Sequence, residues 1–227
     1  MKNPIRLSTR GVSLIELLVG LVIAGMVLGG IYRLFIAQGK VYTVQDQVVE
    51  VQQNIRTAME ALLKDIRMAG YDNDRLSSKI AVLSPVVRPL SDHAITLTYE
   101  LDDTHQQTIA YWLDGNSRLV RQVTLTPEMG PAVTTQEIVL ENVDTLTFTY
   151  GIDLDVLNLE KPEDGAVDFW SSAGSVRNDM RVVAVQVNLI ARPERAHPGD
   201  DRFKNVAPRS LTSIVTMRNA SVSNACS

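Results

Sequence analysis

The sequence predicts an α+β fold: one long N-terminal helix, apolar in its first half and amphipathic in its second, packed on an antiparallel β-sheet. Three observations carry this expectation. From Gly11 through Tyr32 the only charged side chain is Glu16, in a stretch of membrane-spanning length. Between Val41 and Ala69 apolar residues recur at spacings of three and four, the period of one helix face. Beyond Ser77 the period drops to two, as in strands with one buried face. No proline lies between Ile5 and Pro85, so nothing breaks the helix before Gly70, a residue suited to a left-handed C-terminal cap.

The chain opens on a basic segment, Lys2, Arg6 and Arg10 without acids, which ends at Gly11 before the apolar run begins. A secretory signal peptide places its cleavage site after such a run, so this leader is of another kind. Glu16 sits one turn inside a segment suited to lipid, where a carboxylate costs about 2.5–3.5 kcal/mol and calls for a partner. Gly11-Val12-Ser13-Leu14-Ile15-Glu16 resembles the processing motif of type IV prepilins, shared by pilins, minor pilins and type II secretion pseudopilins. The resemblance implies that a prepilin peptidase cuts after Gly11 and methylates the new N-terminus at Val12. The apolar helix then stays attached and enters a filament core. Val12 and Ser13 depart from the commoner Phe and Thr of that family.

The same residues support this on physical grounds. Cleavage frees an amine at Val12 that is protonated near neutral pH, and methylation keeps the charge. Glu16 of one subunit can neutralise the terminal ammonium of its neighbour; breaking such a buried pair leaves one charge alone, at about 3–5 kcal/mol. The competing reading is that Glu16 snorkels to the membrane edge.

Length and charge set further bounds. The 227 residues allow about one ordinary domain beyond the helix. The expected division is a cleaved leader at 1–11, a transmembrane or filament-core half helix at 12–40, and an extracytoplasmic globular domain at 41–227. Loss of the leader's three cations makes the mature chain three units more negative than the −4 of the whole sequence. With no dense basic face, nucleic-acid binding is not expected. Cys226 is the only cysteine, which excludes the intrachain disulfide that many major pilins carry. The leader cations, against Arg33 and Lys40 beyond the span, place the leader in the cytoplasm and the domain outside it.

Along the helix, Val41, Val44, Val48, Val51, Ile55, Ala58, Leu62, Ile66 and Ala69 form one apolar stripe. Gly20, Gly25, Gly29 and Gly30 permit close helix approach in lipid. Lys64-Asp65-Ile66-Arg67-Met68-Ala69-Gly70-Tyr71 resembles the helix end of the PilW group of minor pilins, a turn similar to that of J-type pseudopilins of type II secretion. Ala69 and Gly70 are small where the chain turns sharply, and Tyr71 can anchor that turn.

Strands are expected at Ile95–Leu101, Thr108–Leu113, Leu119–Leu125, Ile138–Leu140, Leu146–Tyr150, Met180–Ile190 and Leu211–Met217. Asp114-Gly115-Asn116-Ser117 marks a hairpin. Two long irregular stretches, 157–178 and 193–208, separate the later strands. Trp112 falls in an alternating strand and is expected in the core. Phe169-Trp170 falls in the first irregular stretch and is the candidate exposed contact.

Chemistry is sparse. His93, His105 and His197 have no metal-ligand spacing, Asp72-Asn73-Asp74 and Asp153-Leu154-Asp155 lack the rest of a calcium loop, and no Gly-x-Ser-x-Gly elbow or phosphate loop occurs. No metal, cofactor or catalytic residue is expected, and no enzymatic activity. The resemblance implies a type IV pilin-like minor pilin that primes or caps pilus assembly. Its partners would be prepilin peptidase, other minor and major pilins, the inner-membrane assembly platform and the lipid bilayer. It would cross the inner membrane once, with a periplasmic domain, and then enter the pilus near the tip. A type II secretion pseudopilin is the alternative within this class. A membrane-anchored extracytoplasmic enzyme or binding domain is the alternative outside it.

Overall fold

The computed structural model describes residues 11–72, 86–153, 165–178, 180–193 and 207–219. The leader through Arg10, Asn73-Asp74, Leu154-Asp155, His197 and Cys226 lie outside the described residues. The chain divides into two compact units, Met1–Asp46 and Gln47–Ser227.

Helix α1 spans Leu14–Met68. In the first unit its side chains from Leu14 to Thr43 are exposed, Leu14 at 77%, as expected of a segment long and apolar enough to cross a membrane. In the second unit the stripe becomes a core face. Val51, Ile55, Ala58, Leu62, Ile66 and Ala69 are buried, joined by Met59 and Leu63. Val44 and Val48 are half-buried and Val41 is exposed, so the seam closes fully only from Val51.

Eight strands follow: β1 Ala94–Asp102, β2 His105–Leu113, β3 Leu119–Pro127, β4 Val133–Leu140, β5 Val143–Asp153, β6 Phe169–Ser171, β7 Arg181–Ala191 and β8 Arg209–Thr216. They form two antiparallel sheets where the sequence suggested one. The first has the order β1-β2-β3-β4, a plain meander, and the second β6-β5-β7-β8. The change of sheet comes at Glu141-Asn142, where Asn142 takes φ 56°. That bend is tied on both sides, Val143 N–H donating to the Ser117 carbonyl at 2.8 Å and Arg192 N–H to the Asn142 carbonyl at 2.9 Å.

The β2–β3 hairpin is built by Asp114. Its carboxylate accepts from the N–H groups of Asn116 and Arg118, each at 2.9 Å, and from Arg118 Nε at 2.7 Å. The Arg118 hydrogen bond chiefly holds its pKa below the ordinary value. The left-handed residue of this turn is Ser117, at φ 59°, and not Gly115. Asp102 does the same at the β1–β2 turn. Its hydrogen bonds with His105 and Thr104, the His105 bond foremost, draw its pKa down to about 2.

Both sheets and the helix share one core. Ile55, Ala58, Leu62 and Ile66 join Leu97, Ile109 and Leu119 of the first sheet and Leu146, Phe148, Val185, Val187 and Leu189 of the second. Along β7, Val183, Val185, Val187 and Leu189 are all fully buried, the alternation expected of the strongest strand. Trp112 corrects an expectation. Tyr111 takes the inward position of β2 and is fully buried, so pleating puts Trp112 half-exposed on the opposite face. The described part of the stretch 157–178 is more ordered than expected, because β6 and a 3-10 turn at Ala173–Ser175 lie within it.

Candidate functional site

The processing segment is at the very start of the described chain. Gly11, Val12 and Ser13 are outside regular structure and α1 begins at Leu14. Leu17 N–H donates to the Ser13 carbonyl at 3.1 Å, which makes Ser13 the N-cap residue. Glu16 is then the third helical residue, in the order of a capping box, and its charge complements the positive end of the helix dipole. The Gly11–Val12 bond is therefore in non-helical backbone. A Cβ at Gly11 would meet nothing within 4 Å, and the same is true of Gly20, Gly25, Gly29 and Gly30. Among the described residues nothing lies close enough to require glycine at these positions.

The helix-end turn is anchored on the outer edge of β1. Gly70 takes φ 74°, the left-handed cap expected of it. Its N–H donates to the Thr98 carbonyl at 2.8 Å, and Glu100 N–H donates to the Tyr71 carbonyl at 2.8 Å. Val87 N–H bonds the Thr96 carbonyl at 2.9 Å on the same edge. Ala69 is fully buried, leaving no room for a larger side chain as the backbone meets the strand. The Ala-Gly-Tyr motif thus closes an edge that would otherwise offer unpaired backbone groups.

The same motif also carries a buried polar network. Asp65 shares the buried face with Leu62 and Ile66, and its Oδ2 accepts from Tyr111 Oη at 2.6 Å and from Arg121 Nε at 2.9 Å. Arg121 Nη1 continues to Glu137 Oε1 at 2.8 Å. Tyr111, Arg121 and Glu137 are direct cross-strand neighbours on β2, β3 and β4, so one row of the sheet delivers a hydroxyl and a guanidinium to one helical carboxylate. Burial, and then the bond to Asp65, push the Tyr111 hydroxyl pKa well up. Burial works against the Arg121 cation, but its bonds to Asp65 and Glu137 prevail and raise its pKa. Tyr99 beside them is raised by burial and by the Asp65 charge. The signal was present in the sequence: an acid three residues after Leu62 and one before Ile66 must face the apolar side.

Phe169 and Trp170 sit in β6, opposite Ile152 and Gly151 of β5. Phe169 packs against the core and Trp170 is 38% exposed, so the two do not form one surface contact. Among the described residues no group of three or more His, Cys, Asp or Glu could hold a metal ion. His93 is exposed, with Nδ1 3.1 Å from the Leu146 carbonyl, and His105 pairs with Asp102. Among the described residues the fold presents an exposed apolar helix start, a Gly11–Val12 bond outside regular structure, and sheet edges.

Comparison with known proteins agrees. Residues 94–222 match the family described as type IV pilus-assembly protein W, a span running from β1 past β8. Residues 6–32 match the prokaryotic N-terminal methylation motif, covering the processing bond and the apolar start of α1. No curated protein matches the chain. The first match covers over half of the sequence. The chain therefore belongs to the type IV pilus-assembly protein W family, as a pilin-like protein with an N-terminal methylation motif and an apolar helix suited to membrane anchoring.

Proposed function

We propose that this protein is a minor pilin, a non-catalytic subunit that primes or caps assembly of a type IV pilus at or near its tip. The observation that carries this reading is the presence, in one chain, of a methylation motif at the start of α1 and a pilus-assembly domain, with both ends of the helix described above. Prepilin peptidase would reach the Gly11–Val12 bond in its non-helical backbone and release the Val12 amine. The chain would then wait in the inner membrane, with its domain in the periplasm, and pass to the assembly platform. Glu16 would meet the terminal ammonium of an adjacent subunit, where lipid and neighbouring helices keep water away and strengthen the pairing. The small residues at Gly20, Gly25, Gly29 and Gly30 would let those helices approach.

Mass and N-terminal sequence of the protein from its native membranes, with immunodetection in sheared pili, test the proposal. A chain starting at methylated Val12 and present in pili at far below the major subunit supports it. An unprocessed chain, or one absent from pili while deletion leaves piliation normal, overturns it. Glu16→Ala should leave cleavage at Gly11 intact but lower incorporation about tenfold or more, given the cost of a lone buried charge. Normal incorporation of that variant would refute the pairing role and leave Glu16 as a helix cap.

A further inference from the structure

The face of the first sheet turned away from α1 has a chemistry of its own. Tyr111 and Arg121 point to Asp65 on the helix side, so pleating turns the even-numbered residues of β2 and β3 outward. Cross-strand partners share a face, which adds the even-numbered residues of β4. A 3.1 Å bond between the Thr124 and Thr134 hydroxyls agrees with this assignment. On β1 the outward Thr98 and Glu100 are buried, so the open part of the face lies on β2, β3 and β4.

Charged residues make up 21% of the chain, yet no outward position of these three strands is charged, from Gln106 to Trp112, Val120 to Thr126 and Thr134 to Ile138 taken in twos. A soluble surface ordinarily carries about a quarter to a third charged residues. The register between β2 and β3 is unbroken from His105 to Leu113, so the side chains stand in rows across the strands. One row holds hydroxyls, those of Thr108, Thr124 and Thr134. The next holds the Gln122 and Gln136 amides, and the last is apolar, Trp112, Val120 and Ile138. The strip is about 20 Å long along the strands and about 10 Å wide across them. Trp112 is half-buried and stands outside the core cluster. Among the described residues neither its indole N–H nor the two glutamine amides has a hydrogen-bond partner, whereas a buried indole N–H ordinarily has one.

We propose that this strip is a binding surface for a neutral glycan, with Trp112 against a sugar ring and Gln122 and Gln136 on its hydroxyls. A pyranose has an apolar C–H face and a rim of groups that both donate and accept. Trp112 matches the face, and amides and threonine hydroxyls also donate and accept. Nucleic acid, an acidic polysaccharide or an anionic lipid surface would call for cations, and the strip has none. The core of a protein interface is enriched in aromatics, Met and Arg; here a single tryptophan stands among threonines and glutamines. Glycan binding at this face requires neither cleavage at Gly11 nor entry into a filament, so it stands or falls separately from the minor pilin role.

Titration of the full chain in phosphatidylcholine vesicles, free of sugar detergents, tests this. The probes are chitohexaose, cellohexaose and maltohexaose, with hexagalacturonate as the anionic control. In a Trp170→Phe background Trp112 is the only tryptophan, so its emission reports the strip. The proposal expects a saturable emission change with at least one neutral hexamer at a Kd below about 1 mM, and at least about tenfold weaker binding of hexagalacturonate. Gln136→Ala, at an exposed position, should raise that Kd about fivefold, the worth of one hydrogen bond. Trp112→Ala, followed by calorimetry, should raise it about tenfold or more. An unchanged far-ultraviolet spectrum verifies that each variant folds. No saturable change with any neutral hexamer, equal binding of hexagalacturonate, or an affinity indifferent to both Gln136→Ala and Trp112→Ala would each overturn the proposal.

Discussion

Removal of the Asp65 carboxylate should destabilise the domain strongly, because it serves the buried Tyr111 and the part-buried Arg121 at once. In Asp65→Ala, Tyr111 Oη keeps its place in a fully buried site and loses its acceptor, at about 1–3 kcal/mol. Arg121 loses one of two carboxylates but keeps Glu137, and its side chain is 22% exposed, so its share is nearer 1 kcal/mol. The sum is about 3 kcal/mol. The assay is urea unfolding of the fragment 41–227, which should be soluble and folded because the helical stripe and both sheets share one core. With a slope of about 2 kcal/mol/M, the midpoint should fall by roughly 1.5 M with the slope unchanged. Tyr111→Phe isolates the shared bond. In a double-mutant cycle with Asp65→Ala the coupling should be about 1.5–2 kcal/mol, the range for a hydrogen bond to a charged group. A midpoint shift under about 0.3 M, or coupling under about 0.5 kcal/mol, would refute the claim that this row of the sheet pins the helix.

Three further outcomes follow from particular contacts. Gly70→Ala forces a Cβ into a left-handed conformation at φ 74° and should cost about 1–2 kcal/mol in the same urea assay. Gly151→Ala should cost about 1–3 kcal/mol, because its Cβ would lie 2.9 Å from Val167 Cγ2 and 3.0 Å from Ala184 Cβ. Val167→Ala in that background should restore part of the loss. Alkaline titration should destabilise the domain through Tyr150, whose pKa burial raises to about 12. Folding then favours the neutral phenol, so its contribution is complete below about pH 10 and is lost as pH climbs from about 10 to 12, by about 2–3 kcal/mol. Tyr150→Phe should flatten that part of the pH profile, although it also gives up the 2.7 Å bond to the Ser91 carbonyl. An unchanged alkaline slope in Tyr150→Phe would show that other groups control it.

Much of this architecture was legible before any coordinates, for a local reason. Helix period, strand period, the Gly70 cap and the Asp114 hairpin depend on residues within a turn or two of one another, and each is written in contiguous sequence. The methylation motif is likewise a linear signal, contained within residues 6–32. What the tertiary structure decided depends on residues far apart in sequence. The strands could be found singly, but their division into two sheets turns on Asn142 being held by Ser117 and Arg192. Trp112 and Tyr111 compete for one inward position, and only the register against β1 and β3 selects the tyrosine. Asp65 could be placed on the buried face from its spacing, yet its partners come from residues 46 and 56 positions away. The edges of β4 and β8 belong to the same class. An edge exists only once the other strands have paired, so the sequence by itself determined the elements and the apolar segment of membrane-spanning length, while long-range pairing decided how the strands divide into sheets and which polar groups meet.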